Sequence, residues 1–104
     1  MEIIVLTIGD TLFIFLIMEI LWDLEKNLLL LKSRSVSFEM VLDKISTGDF
    51  LGPEQNPSRL HQYRIIVEFD GYPYVVPLII DKDGNWFLKT IYPSRKERRR
   101  KNND

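Results

Sequence analysis

The chain has no cysteine and a single histidine among its 104 residues. The first absence excludes a disulfide scaffold, a thiolate metal site and a cysteine nucleophile. The second excludes a multi-histidine metal centre. Glycine is sparse, with five residues, and none of them forms a Gly-rich phosphate loop. No internal repeat appears. An uninterrupted membrane-length apolar run is also missing. Met1–Ile17 (MEIIVLTIGDTLFIFLI) comes nearest, but Asp10 interrupts it and Glu19 follows it. A spanning helix needs about 20 apolar residues, and a mid-membrane carboxylate costs about 2.5–3.5 kcal/mol on insertion scales. The same segment lacks the basic start and small-residue cleavage site of a signal peptide.

What is present fits one small domain: 45% hydrophobic, 28% charged and 12% aromatic residues. That balance argues against disorder and allows one core. The net charge of −1 hides an asymmetry. Residues 1–92 carry 8 basic and 13 acidic side chains, net −5, and residues 93–104 carry 6 basic and 2 acidic, net +4. A basic tail on an acidic body points to an anionic partner at that end, or to a solvated C-terminus.

The pattern divides the chain into an apolar extension (1–17), a domain (18–98) and a basic tail (99–104). Ile3–Ile8 is β-branched and Gly9-Asp10 is a turn signal. Met18-Glu19-Ile20 repeats Met1-Glu2-Ile3, which suggests that translation begins at Met18 or that residues 1–17 are dispensable. Glu19–Trp22 reads as a short strand. Asp23 is a helix N-cap, and Leu24, Leu28 and Leu31 recur at helical spacing through Lys32. The unbroken Leu28–Leu31 run predicts a helix covered on more than one side. Ser37 caps a second helix with Phe38, Val41, Leu42 and Ile45 as one core-facing stripe, and Gly48 lies past its end. Residues 49–60, with Gly52, Pro53 and Pro57, read as a loop.

From Tyr63 the period becomes two. Asp70-Gly71 is a hairpin signal joining strands at Tyr63–Phe69 and Tyr72–Ile80, and a third strand is expected at Trp86–Tyr92 after a turn at 81–85. Pro73 and Pro77 share parity, so both missing N–H groups face the same neighbour; alternatively Pro77 marks a bulge. The expected fold class is α+β, two N-terminal helices on a small antiparallel sheet. The hairpin register places Arg64 opposite Pro77 and Pro77 opposite Lys89. The two cations then share a face about 10 Å apart, twice the strand spacing.

Three segments carry a resemblance: WDLEKNLLLLKSRSVSFEMVLDKI, HQYRIIVEFDGYPYVVPLI and FLKTIYPSRK. In order and spacing they resemble the BrnT-like toxins of bacterial type II toxin–antitoxin systems, within the RelE-type ribonuclease fold, from about Met18 to about Arg98. The resemblance implies a cytoplasmic, metal-independent endoribonuclease that inhibits translation. It also implies a cognate antitoxin partner, contact with DNA only through that antitoxin, no membrane association and no cofactor. Relatives often show His-Pro-Asn before the first hairpin strand. Here Gln55-Asn56-Pro57 stands there and His61 follows later, so the histidine has moved or been lost. The alternative is a toxin-like module that binds RNA without cutting it.

Metal-free RNA cleavage requires a group to take the 2′-hydroxyl proton, cations for the phosphorane charge and an acid for the leaving oxygen. The catalytic candidates are Arg64, Lys89, Arg95 and His61. The RNA-binding candidates are Lys26, Arg34, Tyr92, Lys96, Arg98 and Arg99. Lys26 and Arg34 match charged positions of the family's first helix and following loop. Each cation has an ordinary solvated alternative. Trp86 and Phe87 read as core or antitoxin-facing.

Overall fold

A computed structural model of the chain describes residues 2–4, 7–8, 11–12 and 18–97. The described chain enters through three short strands, β1 (Glu2–Ile4), β2 (Thr7–Ile8) and β3 (Thr11–Leu12). β2 and β3 pair antiparallel with Ile8 opposite Thr11. Gly9 and Asp10 themselves lie outside the described residues.

Strand β4 (Met18–Trp22) leads to helix α1 (Leu24–Arg34), whose first turn is capped by the Asp23 carboxylate accepting from the Lys26 N–H at 2.9 Å. The helix runs two residues past Lys32 and stops at Ser35, which adopts the left-handed conformation with φ 56°. Helix α2 (Phe38–Ser46) begins at the Ser37 cap, and Phe38 and Val41 are its buried residues. One polar side chain joins the helices. The Asn27 carbonyl oxygen accepts from the Phe38 N–H at 2.7 Å, and its amide donates to Glu39 Oε1 at 2.7 Å. Buried Asn27 therefore supplies a second cap to α2, whose first N–H groups lack intrahelical partners.

The hairpin forms as its sequence dictates. Asp70 and Gly71 both take positive φ, 53° and 75°, as a two-residue turn of the primed type demands. Strands β6 (Tyr63–Phe69) and β7 (Tyr72–Ile80) pair regularly from Phe69 opposite Tyr72 to Tyr63 opposite Leu78, whereas on the other side of β7 the register slips by one beyond Pro77, from Leu78 opposite Leu88 to Val75 opposite Tyr92. Pro73 and Pro77 accept through their carbonyls from Ser94 and Lys89, so both prolines turn the same side toward the next strand. That strand is interrupted. Instead of one element over Trp86–Tyr92 there are two, β8 (Trp86–Leu88) and β9 (Tyr92–Pro93), beside opposite halves of β7. The physical reason is the missing donors: two prolines on one side leave the neighbour few bonds to form.

Two further departures concern the sheet. β4, the short strand expected at Glu19–Trp22, pairs with β8 in parallel, Ile20 opposite Trp86, so the sheet is mixed rather than antiparallel. Residues 51–55, expected as loop, form edge strand β5 (Leu51–Gln55) against β6, with a register shift between Leu51 and Glu54. Pro53 is tolerated because it sits on an edge at an irregularity. Gly52 has φ 103°, and a Cβ there would lie 2.8 Å from the Arg64 carbonyl oxygen. The strand order is β1-β4-β8-β7-β6-β5, with β9 also on β7.

Both helices pack on one sheet face. Phe38 and Val41 of α2 meet Ile20, Ile65, Val76 and Leu88, and Trp22 stacks on Phe38 at 5.8 Å between ring centroids. Ile66 and Val75 point to the opposite face and are buried as well. Among the described residues no helix is long and apolar enough to cross a membrane.

Candidate nucleic-acid interface

The sheet face opposite the helices carries the predicted row. Arg64 lies opposite Pro77, and the Lys89 N–H donates to the Pro77 carbonyl at 2.8 Å. Backbone register therefore brings the Arg64 and Lys89 positions onto one row, because hairpin length fixes register. Their charged ends have different surroundings. Arg64 donates through Nε to Glu54 Oε1 at 2.9 Å, and its Nη2 lies 2.8 Å from the same oxygen and 3.3 Å from Glu97 Oε1. The Arg64 side chain is only 12% exposed and that of Glu97 4%. With one guanidinium set against two carboxylates, the Arg64 charge is engaged within the fold rather than presented to a phosphate.

Glu97 reaches Arg64 because the chain folds back after β9. Ser94 Oγ accepts from the Glu97 N–H at 3.3 Å, capping a helical turn over residues 95–97. That turn presents Arg95 and Lys96 to solvent while burying Glu97. Sequence reasoning missed Glu97 and Glu54. Glu97 stands among six tail cations and carries no pattern of its own, and Glu54 follows Gly52-Pro53, an ordinary loop signal. The signal that could have found Glu54 is cross-strand charge pairing: Glu54 stands directly opposite Arg64.

The remaining candidates spread along one stretch of chain. Lys89 is exposed, with Nζ 5.1 Å from the centre of the Phe87 ring, which leaves the ammonium facing water and an aromatic face. Tyr92 is exposed in β9, opposite Val75, and so belongs to the same face as Pro77 and Arg64. Phe87 is half-buried and Trp86 buried, so Trp86 belongs to the core. Phe87, Lys89, Tyr92, Arg95 and Lys96 thus follow one another along β8, β9 and the helical turn.

His61 stands apart, exposed in the turn before β6. Lys26 is half-buried on α1. Arg34 ends α1 and donates from Nη1 to the Ile91 carbonyl at 2.6 Å, a bond that ties the helix to the break between β8 and β9. Arg98 and Arg99 lie outside the described residues.

Among the described residues, two carboxyl groups are shifted, Glu39 and Asp81, and neither belongs to this strip. The Asn27 amide holds the Glu39 carboxyl below its ordinary value. Asp81 is lowered by the backbone N–H of Asn85 first, in the turn where it also accepts from Asp83. Chemically, the strip offers aromatic faces beside cations, which suits stacking of bases and screening of phosphates. No family model, curated protein or solved structure matches the chain.

Proposed function

We propose that the chain is a toxin-like RNA-binding protein, acting with a cognate antitoxin, that holds single-stranded RNA along the Phe87–Lys96 strip. The alternation of Phe87, Lys89, Tyr92, Arg95 and Lys96 beside one sheet face carries this reading. Stacking on an aromatic is worth about 1–3 kcal/mol per base and tolerates sequence, while each phosphate contact adds salt dependence. The resemblance of three segments to BrnT-like toxins supports the antitoxin partnership.

Metal-independent cleavage is the second reading, favoured by the shared row of Arg64 and Lys89. In that reading Lys89 and Arg95 stabilise phosphorane charge and Tyr92 moves a proton. Arg64 acts as a positioning residue, through its hydrogen bond to Glu54 and its ion pair with Glu97.

One experiment addresses both readings. Binding of a fluorescent single-stranded RNA is followed by anisotropy over a salt series, and the same RNA is assayed for cleavage with EDTA present. Tyr92→Ala is expected to weaken binding by about 1–3 kcal/mol at every salt concentration. Arg95→Ala is expected to flatten the salt slope by about 0.7. Parent-like binding by both variants refutes the strip. Cleavage in EDTA that Lys89→Ala abolishes establishes the second reading, and binding without cleavage leaves the first.

A further inference from the structure

The Leu28–Leu31 run does not do what its composition suggests. Of its four leucines, only Leu30 is buried. Leu24, Leu28, Leu29 and Leu31 are between 52% and 69% exposed, although all belong to one capped helix. Asn27 and Leu30 are the buried residues of α1. At about 100° per residue, Leu24, Leu28 and Leu31 form a single exposed stripe beside that contact, about a quarter-turn around the helix from it. Contiguous apolar patches of roughly 300–600 Å² on a soluble protein commonly mark an interaction site.

The charges beside this stripe specify an occupant. Glu25 and Lys32 lie on the same flank, about two turns apart, one at each end. In an antiparallel helix pair like flanks face one another, whereas in a parallel pair each flank faces the opposite one. If two copies of α1 cross antiparallel with the centre between Leu28 and Leu29, Glu25 of each copy faces Lys32 of the other. The contact is self-complementary twice over, as a two-fold interface must be.

From this we infer that α1 is a homodimerisation surface, with a second copy of the chain seated antiparallel on the Leu24–Leu28–Leu31 stripe. The stripe lies on the helix side of the domain, and the Phe87–Lys96 strip follows the other sheet face. The inference is therefore independent of what the strip binds. The patch is smaller than the roughly 800 Å² per partner of a standard stable interface, so the dimer is weak and concentration-dependent.

The test is sedimentation velocity of the full chain over a concentration series, with circular dichroism confirming that each variant is folded. The parent is expected to move from monomer to dimer as concentration rises. Leu28→Glu, at an exposed position, is expected to keep the fold and remain monomeric. Glu25→Lys and Lys32→Glu are each expected to weaken association at least about tenfold, because like charges then face across the contact. In an equimolar mixture of these two variants, the wholly basic flank of the first meets the wholly acidic flank of the second at both ends of the contact. That mixture is expected to recover the parent's association. A parent that stays monomeric at all concentrations overturns the inference. So does a mixture no more associated than its components, the outcome for non-specific sticking of leucines or for a surface that serves another protein.

Discussion

Replacing Arg64 by alanine should damage the fold before it damages any chemistry. Its guanidinium makes two contacts of very different worth. Toward Glu54, whose side chain is 42% exposed, the ion pair sits at the surface and is screened, worth about 0–1 kcal/mol. Toward Glu97 the setting is the interior. Removing one partner of a buried pair typically costs about 3–5 kcal/mol, because the other charge stays desolvated. A domain of this size has about 5–15 kcal/mol of stability in total. The variant should therefore melt at least about 12 °C lower, at about 4–8 °C per kcal/mol. Urea denaturation followed by circular dichroism measures the loss. Adding Glu97→Gln to the Arg64→Ala variant exchanges the buried carboxylate for a neutral amide of similar shape, and at least about 1 kcal/mol should return. An Arg64→Ala protein within about 1 kcal/mol of the parent would refute the reasoning. So would a double variant no more stable than the single one. Loss of RNA cleavage in Arg64→Ala is evidence for chemistry only in a protein shown to be folded.

Two further perturbations test the scaffold. Gly52→Ala should destabilise by more than about 1 kcal/mol, since it combines φ 103° with a methyl group 2.8 Å from the Arg64 carbonyl. Hydrogen exchange should localise the loss to the β5–β6 ladder, and unchanged protection there would contradict the close approach. Asn27→Ala should cost about 2–3 kcal/mol by thermal melting at neutral pH, because it strips the Phe38 N–H and Glu39 of their partner. A lowered carboxylate contributes stability that is present above its unfolded value and lost as pH falls through its folded value. The gap between parent and variant should therefore narrow, without closing, as pH drops below the ordinary glutamate range. A gap that widens on acidification would show that Asn27 does not hold Glu39 ionised.

How far the sequence speaks depends on how local the cause is. The α2 stripe, the caps at Asp23 and Ser37 and the Asp70-Gly71 turn are legible because each is decided within a few residues. The Arg64–Pro77–Lys89 row follows from two turn lengths and was legible for the same reason. What those side chains touch was not. Glu97 meets Arg64 across 33 positions, and its neighbours in sequence are arginine and lysine. Strand β5 was hidden because Gly52-Pro53, an ordinary loop signal, here sits on an irregular edge. The exposed α1 leucines mark the limit of periodicity: spacing shows that a face is apolar, and says nothing of whether this chain covers it.

The parallel union of β4 with β8 also governs how the molecule is assembled. Ile20 must wait for Trp86, so β4, which meets β1 on its other side, stays unjoined to the β6–β7 hairpin until β8 has been made. The β6–β7 hairpin, closed by two residues, is free to form first and to offer an edge on which β8 docks. Only then does β8 offer β4 an edge, and Ile20 joins Leu30, Phe38 and Val41 in one core. Long-range pairings of this kind slow folding, since the closure entropy is spent before the contacts return it. Until that moment the β4 edge that later meets β8, with Ile20, Leu21 and Trp22 on it, stays open to other chains, a condition that favours aggregation.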